Sequence, residues 1–139
     1  MKIKPVVARD MAFWMSIDTH VNEKGFHGRV YTKAGYVLWE KETRIGLMWH
    51  CILWDNLPFL NLLFILPEYR GKGYGAGAMA QWEQEMKKRG FKTLLISTQV
   101  DENAQFFYRK LGYVDCGGLV FQGTPFSQPM EMFMRKVLD

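Results

Sequence analysis

The chain is short of the residues that would place it in several special classes. Its 139 residues include two cysteines, five prolines and three histidines. Cys51 and Cys116 make no disulfide framework, and a chain of this length buries a core without one. A reduced, cytoplasmic protein is expected. With no repeat, low-complexity tract or linker in the sequence, a single domain over residues 1–139 is expected. No apolar run is long enough to span a bilayer, since the longest, residues 57–66, is interrupted by Asn61. The opening MKIKPVVARD has no apolar stretch of signal-peptide length. No membrane partner is expected. His20, His27 and His50 form no i, i+4 pair and there is no C-x-x-C, so no metal site is expected.

Hydrophobic residues make up 48% of the chain and aromatics 15%, which excludes a disordered chain. The formal charge is +4, but the basic residues are scattered. Their one dense cluster, Lys87-Lys88-Arg89, precedes Gly90, where cations and glycine suit the end of a helix. No nucleic-acid partner is expected.

Patterning gives an alternation of elements. KIKPVVA reads as an edge strand, where Pro5 is tolerated. RDMAFWMSIDTHV has helical spacing with Asp10 as its cap. NEKGFHGRVYTKAG reads as a loop or a short helical turn. YVLWEKE and RIGLMWHCILW are strands around a turn near Glu42 and Thr43; DNLP turns the chain into the buried strand FLNLLFIL. A helix from about Gly73 to Arg89 follows, with Met79, Trp82 and Met86 on one face. KTLLISTQV is a strand, DENAQFFYRKLGY a short helix opened by capping residues, and CGGLVF pairs with MEMFMRKVL as a final hairpin. The fold class expected is α/β: a mixed, mostly antiparallel twisted sheet with a central parallel strand pair and flanking helices.

The most informative stretch is ILPEYRGKGYGAGAM. A buried strand ends at Pro67 and a helix opens after Arg70 through a run of glycines. Helix N-termini offer unpaired N–H groups and a positive dipole end. Without β-carbons at Gly71, Gly73 and Gly75 a phosphate can rest against those donors, and Arg70 and Lys72 add charge. A pyrophosphate suits such a turn. The Walker A pattern fails because Gly73, not Ser or Thr, follows Lys72; the G-x-G-x-x-G dinucleotide pattern fits loosely and lacks its later acid.

Arg70, Gly73 and Gly75 satisfy R/Q-x-x-G-x-G/A, and NAQFFYRKLGY supplies N-x-x-x-x-F-Y-x-x-x-G-F/Y through Asn103, Phe107, Tyr108, Gly112 and Tyr113. In this ordered pair of motifs the chain resembles the GNAT superfamily of N-acetyltransferases. The resemblance implies acetyl-CoA as cosubstrate, held at its pyrophosphate by Arg70, Gly71, Lys72, Gly73, Tyr74, Gly75 and Ala76. It also implies that main-chain groups of Leu63, Phe64 and Ile65 bond the pantetheine arm as an added strand would. Asn103 is placed near the pantetheine and caps its helix, and Tyr108 is placed near the sulfur. Gly77 lies outside the signature and suits close helix packing.

Acetyl transfer to an amine needs a neutral nitrogen, donors for the tetrahedral oxyanion and a proton for the departing thiolate. Tyr108 is the candidate proton donor; Phe106 and Phe107 are expected to pack the helix on the sheet. Many relatives carry a glutamate where this chain has Asn61, or Thr98 and Gln99. Asp55, His50 or water remain as bases, with His50 read as a core residue and Asp55 as a turn residue. Direct transfer in a ternary complex is expected over an acyl-cysteine route. The acceptor is the primary amine of a small molecule or peptide, bound by the first helix, the NEKGFHGRVYTK loop and the turns near Trp54 and Phe126. The missing glutamate keeps a second reading open, a catalytically inactive coenzyme A-binding regulatory domain. A homodimer is left open.

Overall fold

The structure, a computed structural model, describes residues 1–139. Its strands are β1 (Lys2–Pro5), β2 (Gly35–Glu40), β3 (Thr43–Leu53), β4 (Leu57–Ile65), β5 (Thr93–Gln99), β6 (Val114–Leu119) and β7 (Glu131–Val137). Its helices are α1 (Met11–Ile17), α2 (Glu23–Thr32), α3 (Tyr74–Lys88) and α4 (Ala104–Lys110). The strands form one mixed sheet in the order β1-β2-β3-β4-β5-β7-β6, with β4 and β5 parallel across α3. This is the expected architecture. Backbone contacts divide the chain into two compact units: Met1–Cys51 with Asn61–Glu85, and Ile52–Leu60 with Met86–Asp139. No helix is long and apolar enough to cross a membrane.

In the first unit, side-chain alternation along β2 and β3 feeds two layers. Val37 and Leu47 are fully buried against Trp14 of α1 and Phe26 of α2, with Trp49 and Leu62 packed beside them. The neighbouring positions Tyr36, Met48 and His50 are also buried, and His50 meets Trp82 of α3. Met79 and Trp82 are fully buried, as is Met86 where α3 runs on into the second unit, as their spacing requires. Each such side chain contributes roughly 1.5–3 kcal/mol by leaving water.

Two expectations need correction here. NEKGFHGRVYTKAG is more than a loop or a short helical turn, since α2 runs ten residues from the Asn22 cap, whose side chain accepts the Gly25 N–H at 2.7 Å. Gly25 and Gly28 conceal the helical period, and burial of Phe26 overrides their poor propensity. Asp10 precedes α1 but makes no side-chain cap to it. Its carboxylate instead accepts the Val7 N–H at 2.9 Å and Arg44 Nε at 2.9 Å, tying a 3-10 turn (Ala8–Asp10) to β3.

In the second unit, β4 and β5 register at Phe59↔Leu95 and Leu60↔Ile96. β5 pairs along its whole length with β7, which in turn pairs with β6. The final hairpin is present, but β7 inserts between β5 and β6, leaving β6 as an exposed edge strand. Ahead of β5, Gly90 (φ 97°) closes α3, with its N–H on Lys87 O and the Phe91 N–H on Met86 O. The cluster Lys87-Lys88-Arg89 therefore sits at a helix C-terminus, where its charge offsets the dipole.

Candidate active site

The glycine-rich turn has two physical reasons for its composition. Gly71 (φ 74°) and Gly73 (φ 84°) are left-handed, a conformation costing an L-residue about 1–2 kcal/mol. A β-carbon at either position would meet nothing within 4 Å, so the backbone faces open space. The first helical bond of α3 runs from the Gly77 N–H to Gly73 O at 3.1 Å. The amides of Tyr74, Gly75 and Ala76 thus precede the ladder, donors at a positive helix end. Gly77 serves packing instead, for a β-carbon there would lie 3.2 Å from Met1 Cε. A phosphate-bearing group fits this cradle.

The side chains of the turn are held in different ways. Arg70 Nε donates to Ile65 O at 2.7 Å, and its guanidinium carbon lies 5.0 Å from the centre of the Phe64 ring. This fixes the group while leaving its terminal nitrogens for an anion. Lys72 Nζ is 5.7 Å from the Tyr69 ring. The Tyr74 hydroxyl bonds the Glu40 carboxylate, and that bond raises its pKa above the ordinary value. Glu40, which also meets the Met1 amine at 3.5 Å, is a neighbour of the turn that the sequence reading missed.

The main chain of Leu63, Phe64 and Ile65 is not uniform. The Leu66 N–H bonds Ile45 O at 2.8 Å, and Phe64 O approaches Gly46 of β3 so closely that an added β-carbon would sit 2.3 Å away. The Phe64 carbonyl is therefore turned to β3. Strand alternation turns the main-chain groups of Leu63 and Ile65 to the opposite edge. Of these, Ile65 O is already taken by Arg70. Gly46 is a second residue the sequence left unmarked; its lack of a side chain is what lets β3 and β4 approach.

Asn103 and Tyr108 belong to the second unit. Asn103 precedes α4, yet its side chain makes no cap and is exposed; only its carbonyl serves, accepting the Phe106 N–H at 3.0 Å. The expected side-chain cap is absent because the helical φ of −75° and ψ of −12° at Asn103 depart from the extended geometry capping needs. Gln105 and Glu102 hold this turn instead: Gln105 Nε2 donates to Val100 O at 2.9 Å, and Glu102 Oε1 accepts the Gln99 N–H at 3.2 Å. The Tyr108 ring packs edge-on against Phe107 at 5.0 Å and Tyr113 at 5.8 Å. Burial, aided by the Glu102 charge, pushes its phenol up to about 12. Phe106 does not pack as expected: it is 55% exposed on the outer side of the short helix.

The candidate bases are accounted for by structure. His50 is buried and its Nδ1 accepts the Trp82 Nε1–H at 3.1 Å, with the Tyr36 ring stacked on it at 6.1 Å. It is the core histidine that was expected. Asp55 (φ 62°) and Trp54 (φ 52°) form the β3–β4 turn, and Asp55 is exposed. Thr98 is buried, with its hydroxyl on Gln99 O at 3.3 Å. Asn61 bonds Cys51, whose thiol is nonetheless pushed up by burial; burial also raises Cys116. A thiol raised in this way is a poor nucleophile at neutral pH.

Trp54 and Phe126 cannot border one acceptor site together. Trp54 leads into the start of β4, beside Lys92 and Thr93 at the start of β5. Phe126 lies in the segment joining β6 to β7, whose end Leu119↔Glu131 registers with Gln99 at the finish of β5. The two residues occupy opposite ends of the parallel strands. Ligands of such sheets gather at the carboxyl ends, which favours the Phe126 end.

The comparisons with known proteins agree with this geometry. Residues 10–113 match the model of the acetyltransferase (GNAT) family. The [Ribosomal protein bS18]-alanine N-acetyltransferase of Haemophilus influenzae is 30% identical over 59 residues, a match spanning 42% of this chain and 40% of that relative's length. The ribosomal-protein-S18-alanine N-acetyltransferase of Escherichia coli superposes with a TM-score of 0.81 at 18% identity, covering 99% of this chain and 94% of that one. Arabidopsis thaliana Naa50, solved with the bisubstrate analogue CoA-Ac-MVNAL, gives 0.82 at 14% identity, covering 99% and 98%. The structural likenesses establish the fold, while the family match runs through the glycine turn and on to Tyr113 at the end of the second motif. The chain belongs to the acetyltransferase (GNAT) family.

Proposed function

We propose that this chain transfers the acetyl group of acetyl-CoA to a primary amine by direct attack in a ternary complex, and that the amine is the α-amine of a peptide. The observation that carries the reading is the turn from Arg70 to Ala76, with left-handed Gly71 and Gly73 beside open space and free amides at the start of α3. Arg70, Gly71, Lys72, Gly73, Tyr74, Gly75 and Ala76 hold the pyrophosphate, the last three through their amides, with the Tyr74 ring tethered by Glu40. Leu63 and Ile65 offer their edge amides to the pantetheine arm, with Phe64 contributing its side chain, and Asn103 contributes an exposed amide group. Acetyl-CoA supplies an activated thioester; everything else falls to the protein.

The raised thiols of Cys51 and Cys116 disfavour an acyl-cysteine route. Tyr108 faces a different constraint. With its pKa near 12 it stays protonated across the working range. Full transfer to a thiolate of pKa about 8.5 is uphill by about 5 kcal/mol. Tyr108 therefore stabilises the departing sulfur by a hydrogen bond, and the proton shed by the attacking nitrogen balances the transfer. His50 and Asn61 are engaged by Trp82 and Cys51, and Asp55 is solvated in a turn. With no carboxylate base, the acceptor must arrive neutral. A peptide α-amine, with a pKa of about 8, is substantially neutral near physiological pH, whereas a lysine amine near 10.4 is not. The alanine N-acetyltransferase relative and the Naa50 complex with CoA-Ac-MVNAL support the same class.

The test is thiol release from acetyl-CoA with two peptides, one with a free α-amine and one N-blocked with a free lysine. The expected result is transfer to the first, with a rate that is half-maximal near pH 8 and reaches its plateau above about pH 9. Preference for the lysine peptide refutes the acceptor class; no release with any amine refutes transfer itself.

A further inference from the structure

Basic residues that are far apart in the sequence meet in the first unit. A groove of about 470 Å³ is bordered by β1, the 3-10 turn and the β2–β3 hairpin. Lys4, Arg9, Lys41 and Arg44 line it, against the carboxylates of Asp10 and Glu42. Asp10 is 2% exposed and committed, one oxygen to Arg44 Nε and the other to the Val7 N–H. Arg44 is thereby preorganised. Its guanidinium carbon also lies 4.6 Å from the centre of the Trp39 ring, and the single bond to Asp10 through Nε leaves its terminal nitrogens for a partner. Lys4 Nζ lies 5.4 Å from the same ring. Lys41, at φ 54°, is a non-glycine residue held left-handed at the hairpin corner with its side chain exposed.

We propose that this groove binds the phosphate backbone of an RNA strand without reading its bases. Exposed cations gain little from one small anion, because water and salt screen each pair. A polyanion is different, since every neutralised phosphate releases condensed counterions. The closely spaced charge of a nucleic-acid strand matches four cations grouped around one groove better than the sparse carboxylates of a peptide. Trp39 is engaged by two cations, so it is no stacking platform, and base preference has no structural source here. The cations looked scattered only in the linear sequence. Folding brings Lys4 and Arg9 of the first segment beside Lys41 and Arg44 of the hairpin.

The experiment is a titration of short labelled RNAs of different sequence, read by fluorescence anisotropy at several salt concentrations. With three to four phosphate contacts, log K is expected to fall against log salt with a slope of about −2 to −3. Affinity should be the same for the different sequences. The triple variant Lys4→Gln, Arg9→Gln, Lys41→Gln removes three exposed cations outside the transfer machinery. It should flatten the slope by about 2 while its thermal midpoint and peptide acetylation stay unchanged. Absence of binding at low salt overturns the proposal, as does binding that the triple variant leaves intact. Competition by poly-glutamate as effective as that by RNA overturns it too, assigning the groove to an acidic protein.

Discussion

Gly73→Asp separates the two reasons for the glycine turn. In the free protein the new side chain has room, because a β-carbon at Gly73 meets nothing within 4 Å. Its cost is conformational: φ of 84° costs an L-residue about 1–2 kcal/mol, and aspartate tolerates this region better than most. Unfolding entropy near 2.1 cal/mol/K per residue makes 1 kcal/mol equivalent to roughly 3 °C for a chain of this size. The free variant should therefore melt roughly 3–6 °C lower. The cofactor effect is larger and of another kind. Acetyl-CoA at one hundred times its dissociation constant stabilises the wild type by about 2.7 kcal/mol, or roughly 9 °C. Gly73→Asp puts a carboxylate where the pyrophosphate rests, and the upward shift should vanish. A thermal-shift titration of both proteins reads the two effects together. An unmoved wild-type midpoint at saturating acetyl-CoA, or a variant that responds as strongly as wild type, refutes the assignment of the turn.

Tyr108→Phe keeps the ring packing and removes the hydroxyl that donates a hydrogen bond to the departing sulfur, so acetyl-CoA affinity should hold while kcat falls about 10²–10³-fold; equal kcat makes Tyr108 a packing residue only. The same substitution has a signature in stability. A phenol that ionises near pH 10 unfolded and about 12 folded contributes stability that is complete below pH 10 and is lost as pH rises toward 12. The wild type should lose roughly 1.4 kcal/mol per pH unit in that window beyond what Tyr108→Phe loses, as read by urea midpoints. Asp55→Asn should change the rate less than about twofold, because a solvated carboxylate is a poor base for an ammonium; a loss of two or more orders of magnitude makes Asp55 the base. Gly46→Ala drives a β-carbon to 2.3 Å from Phe64 O and 3.1 Å from Ile65 Cα, both main-chain atoms that cannot swing aside. Its urea midpoint should fall by an amount equivalent to about 1–3 kcal/mol or more, with acetyl-CoA affinity falling as β4 shifts.

What the sequence revealed and what it hid follow from different ranges of interaction. The strands, α3 and the turn from Arg70 to Ala76 were legible because their signals are local: alternation, 3.6-residue spacing, and glycine where φ turns positive. The burial of Met79, Trp82 and Met86 follows from spacing alone. Helix α2 was hidden because its two glycines lower local propensity, and Phe26 repays that only through partners distant in the chain. Asp10 was assigned to a cap by its position, but Arg44, thirty-four residues on, claims its carboxylate. Trp54 and Phe126 were joined as a single acceptor wall because both are aromatic turn residues. Strand direction puts them at opposite ends, and composition does not encode direction. Gly46 gave no signal because a lone glycine in a strand has many uses.

The glycines of α2 bear on how this part of the molecule opens. Gly25 and Gly28 each cost roughly 1 kcal/mol relative to alanine, and ten residues fall below the length at which an isolated helix persists in water. Only Phe26 is fully buried, with Arg29 held by Asp18 and lying 3.7 Å from the Trp49 ring. With Val30 packed beside Phe26 on the same core, the helix is moored by three side chains and has little cohesion of its own. Its amides should exchange with deuterium well before those of α3, whose fifteen residues carry Met79, Trp82 and Met86 into the core. Weak cohesion of this kind makes α2 a unit that opens and closes whole, on a free-energy scale set by these few anchors rather than by global unfolding.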